Sequence, residues 1–299
     1  MTAGCSNNKS GFAGRSTSNA NLHPRRDACC LSEGRQYRKQ KAARSVTYPQ
    51  QESGAHERVF LTAEWRHLAM LNYDIDAAVL QPYLPGGTEL DLFEGKALVS
   101  VVGFRFLATK VLGVAIPGYR DFDEVNLRFY VRRRHQGETR RGVVFVREIV
   151  PHRAIATVAR ILYNENYCRL PMTHRIESRD LPGISELSAE FAWRQGSKWN
   201  RLVVAVNGDP QDLQPGSEAE FITEHYWGYS ASRRRGTVEY QVKHPRWRVW
   251  NAREASLEAD VAALYGSDFV GPLNHPWRSA FLAEGSAVAV YKGQRLSQR

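Results

Sequence analysis

The sequence predicts a mainly β (α+β) fold, an antiparallel barrel or sandwich with a few short peripheral helices. Short apolar runs separated by turn residues recur along most of the 299 residues, as expected for many short strands. The few helical segments do not alternate with strands in the way that builds a doubly wound parallel sheet. With 42% hydrophobic and 11% aromatic residues, the chain has enough apolar surface for a buried core.

Residues 1–57 differ in composition from the rest of the chain. They are rich in Ser, Asn, Gly, Arg and Gln and show little periodicity, which predicts a disordered N-terminal extension. The extension is basic, because its nine Lys or Arg and four Asp or Glu give +5 of the formal net charge of +10. No composition shift divides residues 58–299, so we expect them to form a single domain.

The predicted domain opens with a strand over residues 60–73, which are largely aromatic and aliphatic. Asp74 and Asp76 are N-cap candidates for a short helix over residues 77–83, which ends before Pro85. The other predicted strands cover residues 90–93, 97–107, 124–134, 143–150, 172–178, 187–193, 201–206, 225–230, 237–242, 247–251 and 287–291.

Three more short helices are predicted. Residues 154–162 have apolar side chains at helical spacing. Residues 217–223 begin with the capping-box pair Ser217 and Glu220, in which each side chain satisfies a free backbone N–H group. Residues 256–265 are followed by Gly266, a typical residue after a helix C-terminus.

Residues 124–131 alternate between polar and apolar side chains, so a strand here presents two different faces. The apolar face is typical of a core. The polar face lies either on the solvated surface or on the wall of a polar cavity. In a cavity, the guanidinium would bind a carboxylate or phosphate through two hydrogen bonds. The polar face, a candidate substrate-binding row, consists of Glu124, Asn126, Arg128 and Tyr130.

Arg147 and Glu148 directly follow the apolar run 143–146. Charges that leave a buried strand need partners, because burial of an unpaired charge is costly. The pair is either a structural ion pair or a catalytic acid in a cavity with an arginine that orients it. Because neighbours on a strand point to opposite faces, we expect only one of the two to enter a cavity.

Glu224 and His225 form a second candidate catalytic pair, because a histidine beside an acid can transfer protons near neutral pH. The alternative is a half-buried histidine packed among the aromatic residues that follow it.

Several other classes of function are not supported. The histidines are scattered without a metal-binding spacing, and no phosphate loop or nucleophile motif occurs, so we predict no metal and no cofactor. The run 246–250 alternates arginine with apolar residues, which fits a core strand better than a nucleic-acid groove. No apolar run is long enough to span a membrane. The cysteines form no C-x-x-C pair, which favours a cytoplasmic protein.

Several segments resemble the bacterial family DUF2071, also called YqjF-like, which has no established activity. The resemblance covers roughly residues 58–293 and is specific. The matching segments are residues 60–73, 124–131, 147–151, 163–167, 223–229 and 281–286.

Two segments are also similar to acetoacetate decarboxylase, which implies a closed antiparallel β-barrel or cone with an internal cavity. They are residues 73–92 and the Arg147-Glu148 pair at its strand end. That enzyme forms a Schiff base on a lysine a few residues after its Arg-Glu pair. Here no lysine occurs between Lys110 and Lys198, and arginine is no amine nucleophile. Schiff-base chemistry is therefore not expected.

Two hypotheses follow for the function. The first is a protein that binds or converts a small anionic or keto compound in a polar cavity, with Arg128 as the anion anchor. Glu148, Glu224 and His225 would then supply acid and base, together with Glu124. The second is a non-catalytic ligand-binding or protein-interaction module that retains the fold. Neither hypothesis involves nucleic acid or a membrane as a partner.

Overall fold

The computed structural model of the chain describes residues 58–152, 166–232 and 236–296. The predicted extension 1–57 and the predicted helix 154–162 lie outside the described residues. The mainly β prediction is confirmed, since fifteen strands and a few short helices make up most of the described chain.

Eleven strands belong to one large sheet. In chain order they are β1 (Val59–Ile75), β2 (Glu89–Leu90), β3 (Ala97–Val111), β4 (Phe122–His135), β5 (Glu138–Val150) and β6 (Tyr167–Arg169), then β10 (Trp227–Ser232), β11 (Gly236–Lys243), β12 (Val249–Asn251), β14 (Ser279–Tyr291) and β15 (Gln294–Arg295). Four more strands form a second sheet: β7 (Met172–Leu181), β8 (Ile184–Gln195), β9 (Lys198–Asn207) and β13 (Glu254–Glu258).

The large sheet closes on itself. Its strands pair in the order β14-β1-β3-β4-β5-β10-β11, and β11 pairs again with β14 through Val242 and Lys243. The expected closed sheet is therefore present, but it is not wholly antiparallel. β5 pairs in parallel with both β10 and β6. Alternation along a strand shows which face is buried but not the direction of its partner, so these parallel pairings could not be predicted from the sequence pattern.

A glycine permits the parallel contact between β5 and β10. Gly142 lies opposite Trp227, and a Cβ atom on Gly142 would lie 2.7 Å from the Trp227 carbonyl oxygen and 2.6 Å from the Tyr229 ring. No carbon atom fits at such distances. The two strands can approach closely enough to pair because residue 142 has no side chain.

The second sheet, with strand order β13-β9-β8-β7, packs against the outer face of the ring. Phe191, Trp193 and Leu202 of this sheet share one buried cluster with Leu127 and Phe129 of β4. This packing explains the apolar face of the 124–131 alternation. Sequence analysis predicted three of the four strands but not their separation into another sheet.

The helices are short, and their caps match the sequence in two cases. The helices are α1 (Ala77–Leu80), α2 (Glu218–Thr223), α3 (Val261–Tyr265) and α4 (Val270–Asn274), with 3-10 turns at Gln81–Tyr83 and Ser267–Phe269. Asp76 caps α1 by accepting a hydrogen bond from the Ala78 N–H group, and Ser217 caps α2 by accepting one from Glu220.

The predicted helix over residues 256–265 is wrong in its first half. Residues Glu254–Glu258 form strand β13, in which Ser256 pairs with Val203 of β9. The helix begins only at Val261, because the Asp260 side chain caps it by accepting from the Ala263 N–H group at 3.2 Å. Pairing with β9 satisfies the backbone of this segment and outweighs its helical spacing.

Candidate functional site

A cavity of about 220 Å³ lies inside the ring, and the polar row of β4 lines it. Glu124, Asn126 and Arg128 face this cavity, together with Glu148 of β5. The sequence predicted a polar cavity, but most of the lining is aromatic or aliphatic. These apolar side chains include Phe60, Leu61, Trp65, Leu68, Val102, Phe104, Phe106, Phe122, Phe145, Trp227, Val242, Trp247 and Val290.

Arg128 places a cation within this largely apolar lining. Its Nη2 atom donates a long hydrogen bond of 3.4 Å to the Ile222 carbonyl oxygen, and its guanidinium lies 5.7 Å from the centre of the Tyr130 ring. Its buried Nε atom has no hydrogen-bond partner, and no carboxylate of the described residues forms an ion pair with it. Such a guanidinium retains N–H groups with which it can bind a carboxylate or another planar anion.

Two buried carboxylates and a phenol line the same cavity as Arg128. Glu124 is 3% exposed and Glu148 is 2% exposed. Glu124 Oε1 accepts from Asn126 Nδ2 at 2.9 Å, and its Oε2 accepts from the Tyr167 hydroxyl at 3.4 Å. The Glu148 carboxylate also acts on the pKa of the Tyr167 hydroxyl. The phenol of β6 therefore interacts with both acids.

Burial raises the pKa of Glu124 to about 7, although hydrogen bonds from Asn126 and Tyr167 and the charge of Arg128 oppose the shift. Burial also raises the pKa of Tyr167 well above its ordinary value, and the nearby carboxylates of Glu124 and Glu148 add to the shift. Near neutral pH the Glu124 carboxyl group therefore holds a proton part of the time, and the phenol keeps its own.

His225 and Asp91 form a second polar pair at the cavity. His225 Nε2 lies 3.3 Å from Asp91 Oδ2, which also accepts from Arg141 Nε at 2.7 Å. Burial alone would raise the pKa of Asp91, but the hydrogen bonds from His225 and Arg141 outweigh it and lower this pKa. Asp91 is thus an acceptor only, so His225 Nε2 carries the hydrogen. Sequence analysis missed Asp91, because its partner is far away in the chain.

The other nitrogen of His225 is a proton acceptor. His225 lines the cavity, and its buried Nδ1 atom has no partner among the described residues. Burial lowers the pKa of His225 to about 4, although the hydrogen bond that His225 donates to Asp91 opposes the shift. The ring is therefore neutral at pH 7, and Nδ1 carries a lone pair.

The sequence of this chain matches a known protein family. The profile of DUF2071, described as an uncharacterized conserved protein, matches residues 62–287. The chain belongs to the DUF2071 family. A Bacillus subtilis (strain 168) member, "Uncharacterized protein YqjF", is 26% identical over 199 residues, which cover 66% of this chain and 77% of YqjF.

Solved structures show which fold this DUF2071 protein shares. The enduracididine biosynthesis enzyme MppR complexed with pyruvate matches with a TM-score of 0.58 and 14% identity, covering 83% of this chain and 95% of MppR. Acetoacetate decarboxylase from Legionella pneumophila matches with a TM-score of 0.52 and 14% identity, covering 84% of this chain and 93% of the decarboxylase. These matches confirm the acetoacetate-decarboxylase-like fold.

Three of the predicted site residues of this DUF2071 protein do not line the cavity. Tyr130 is buried with its ring centre 4.8 Å from that of His225, and its hydroxyl contacts the Ser100 hydroxyl at 2.5 Å. Arg147 lies on the face of β5 opposite to Glu148, as the alternation of neighbours requires, and its charge acts on Tyr265 of α3. Glu224 accepts a hydrogen bond from the Tyr226 hydroxyl at 2.7 Å, outside the cavity lining.

Lysine is absent from the cavity lining contributed by the described residues of this DUF2071 protein. Lys96 binds Asp74 on the surface at 3.0 Å, and Lys243 lies 4.8 Å from the centre of the Tyr291 ring. The same residues include no cluster of three His, Cys, Asp or Glu side chains that could hold a metal ion, and no helix among them is long and apolar enough to cross a membrane.

Proposed function

We propose that this DUF2071 protein binds a small carboxylate- or carbonyl-bearing compound in the ring cavity and exchanges protons with it. The observation that carries the proposal is the Arg128 guanidinium, a cation in a largely apolar cavity without an ion-pair partner among the described residues. In such surroundings an anion gains more from the cation than it would in water. That MppR has been solved with pyruvate supports this class of ligand.

The groups on either side of Arg128 have complementary proton affinities. Glu124, four residues before Arg128 on β4, holds a proton part of the time near neutral pH. His225 is neutral and presents Nδ1 as an acceptor. A proton donor and a proton acceptor around an anchored ligand are what general acid–base catalysis beside a carbonyl requires. We assign Glu124 as the acid and His225 as the base, with Asp91 as a positioning residue for His225.

Proton transfer here does not use a Schiff base, since the described cavity lining includes no lysine. We expect no covalent adduct when the full-length protein is treated with pyruvate and sodium borohydride. Intact mass spectrometry measures this directly. A mass increase corresponding to reduced pyruvate would show that a lysine does reach the cavity and would overturn this part of the proposal.

Binding is tested by calorimetric titration of pyruvate, acetoacetate and butanoate into the wild type and Arg128→Gln. Loss of a charge-assisted pair costs about 1.5–3 kcal/mol, so we expect the variant to bind at least tenfold more weakly. Arg132→Gln is the matched control, because Arg132 is on the same strand but pairs with Glu89 on the surface. Equal affinities for wild type and Arg128→Gln would contradict the proposal.

Catalysis is tested separately from binding. In D₂O, the wild type should accelerate deuterium exchange at the carbon next to the carbonyl of a bound keto acid, as measured by NMR. Glu124→Gln and His225→Asn should bind the ligand but lose this exchange. Binding without exchange in the wild type would instead favour the second candidate, a non-catalytic ligand-binding module.

We also propose that the protein is cytoplasmic and that neither nucleic acid nor a membrane is its partner.

A further inference from the structure

The cavity has two chemically different walls. The polar side chains Glu124, Asn126, Arg128 and Glu148 all project from β4 and β5. The wall that β1, β3, β11 and β14 build is mainly apolar, with Thr109 and Tyr240 as its polar members. Its members include Phe60, Leu61, Trp65, Leu68, Val102, Phe104, Phe106, Val111, Val242 and Val290. A ligand that only neutralised Arg128 would leave this second wall without a partner.

The apolar wall extends far beyond Arg128. Phe122, which also lines the cavity, precedes Arg128 by six residues on β4, so about 20 Å of strand separates them at about 3.3 Å per residue. Phe104 and Phe106 of β3 pair with this stretch at Glu124 and Phe122. Trp65 of β1 contacts both rings edge to face, with ring centres 5.2 and 5.7 Å apart, and the two phenylalanine rings are tilted against each other at 5.1 Å. The anion anchor therefore lies near one end of an aromatic channel.

The other end of the channel reaches an apolar part of the surface. Val111, the last residue of β3, and Ile116, in the turn between β3 and β4, line the cavity. In the same turn Leu112 is 61% exposed, Val114 64% and Ile116 44%. Apolar side chains grouped around a cavity opening are typical of sites that admit apolar ligands.

From these features we infer that the ligand is an amphipathic monocarboxylate. Its carboxylate lies on Arg128, and its alkyl chain or aromatic ring lies along the apolar wall towards Phe122 and Ile116. This inference rests on the proposed function and narrows its ligand class. A short acid such as acetate or pyruvate would occupy the anchor but leave the aromatic channel empty.

The inference predicts how affinity depends on chain length. Each methylene group buried on the apolar wall should tighten Kd about fourfold, which corresponds to about 0.8 kcal/mol. We therefore expect Kd to fall steadily from acetate through butanoate and hexanoate to octanoate, and 3-phenylpropanoate to bind more tightly than acetate. Isothermal titration calorimetry of the full-length protein measures each Kd.

Two variants locate the ligand in the cavity. Arg128→Gln should weaken every acid of the series by a similar factor, because all share the carboxylate. Ile116→Ser should weaken hexadecanoate, whose extended chain is about as long as the strand from Arg128 to Phe122, several-fold and leave acetate unchanged. Leu92→Ser is the matched control, since Leu92 is also 44% exposed but does not line the cavity. Circular dichroism melting curves establish that each variant is folded.

The outcomes separate the two proposals. A Kd that is flat or rises from acetate to octanoate, together with a loss of binding in Arg128→Gln, would overturn the amphipathic ligand and retain the proposed function. An Ile116→Ser variant that loses no more hexadecanoate affinity than Leu92→Ser would overturn the channel. If no acid of any length binds folded wild-type protein, the proposed function fails as well.

Discussion

At the scale of single residues, burial moves the proton affinities of two cavity groups in opposite directions. It raises the pKa of Glu124 to about 7 and lowers that of His225 to about 4. Both shifts have the same cause, because a low-dielectric site disfavours the charged form of an acid and of a base alike. The result is a proton donor and a proton acceptor that coexist near neutral pH without forming an ion pair.

Glu124 should make stability depend on pH. Its folded pKa lies above the ordinary value of 4.5, so the folded state binds this proton more tightly than the unfolded state. Its contribution is complete below pH 4.5 and is lost as pH rises through about 7. We expect the wild type to lose on the order of 2 kcal/mol of unfolding free energy over this range relative to Glu124→Gln. Urea denaturation at several pH values measures the difference.

The control for this prediction is Glu138→Gln, because Glu138 is exposed on β5. The control should follow the wild-type dependence on pH, since its removal leaves the buried carboxyl in place. Identical pH dependence in Glu124→Gln and the wild type would contradict the raised pKa.

The state of His225 can be observed directly. Its pKa of about 4 lies below the ordinary 6.5, so the unfolded state takes up this proton first, and folding stability falls as pH drops from 6.5 to 4. Long-range ¹H–¹⁵N NMR spectra should show a neutral ring with the hydrogen on Nε2 at pH 6. Asp91→Asn should relax the choice of tautomer, because the charged acceptor is gone. A titration midpoint near 6.5 in the wild type would contradict the assignment.

The sequence predicted part of this site. The period of two in residues 124–131 showed that Glu124, Asn126 and Arg128 share a face, and the alternation at Arg147 and Glu148 showed that only one of them could enter a cavity. Asp91 and Tyr167 could not be found in this way. Their roles depend on contacts with His225 and Glu124, which lie 134 and 43 residues away in the chain.

At the scale of elements, close strand contacts require particular glycines. A methyl group on Gly142 would lie 2.7 Å from a backbone oxygen of β10, which cannot move without breaking the parallel pairing. Gly142→Ala should therefore lower the unfolding free energy by about 1–3 kcal/mol, as other overpacked sites do. Urea denaturation or a thermal melt checks this.

Gly271→Ala is the matched control for Gly142→Ala. Gly271 lies in helix α4, and a Cβ atom there would meet no atom within 4 Å. Alanine favours a helix over glycine by about 1 kcal/mol, so the control should be neutral or more stable. A Gly142→Ala variant as stable as the wild type would show that β5 and β10 are less closely packed than described.

Strands and helices were predicted well where the local sequence pattern determines them, and less well where they depend on pairing with a distant strand. Residues 60–73 and 97–107 alternate or run apolar over long stretches and became β1 and β3. Residues 256–258 have helical spacing yet form part of β13, because β9 offers backbone hydrogen bonds. The second sheet also depends on contacts between distant residues, which no local pattern reveals.

At the scale of the whole molecule, the ring is closed by short pairings. β1 pairs with β3 and β14 along most of its length, whereas β10 meets β5 in the described residues only at Trp227 and Gly228. A buried carboxylate reinforces this junction. Glu239 of β11 accepts hydrogen bonds from Arg133 Nη1 of β4 at 3.1 Å and from Arg140 Nη1 of β5 at 2.5 Å.

We expect the β10–β11 hairpin to be the part of the described ring that opens most readily. Its amides should exchange with deuterium faster than those of β1 and β3, as measured by mass spectrometry of peptic fragments. Glu239→Gln should accelerate this exchange and lower the unfolding free energy by roughly 3 kcal/mol, because it leaves two half-buried arginines without their partner. Uniform protection around the ring would contradict this view.

The two faces of β4 have a consequence for how relatives of this protein can diverge. Positions 124, 126 and 128 face the cavity, whereas Leu127 and Phe129 pack against the second sheet. If the cavity binds the proposed ligand, substitutions in the first set would change which compound is recognised without disturbing the core. An insertion or deletion of one residue before Glu124 would exchange the two sets, so that charges enter the core and apolar groups replace the anchor. A new ligand specificity could therefore arise by substitution along β4, whereas a change in the length of β4 would disrupt both its cavity face and its core face.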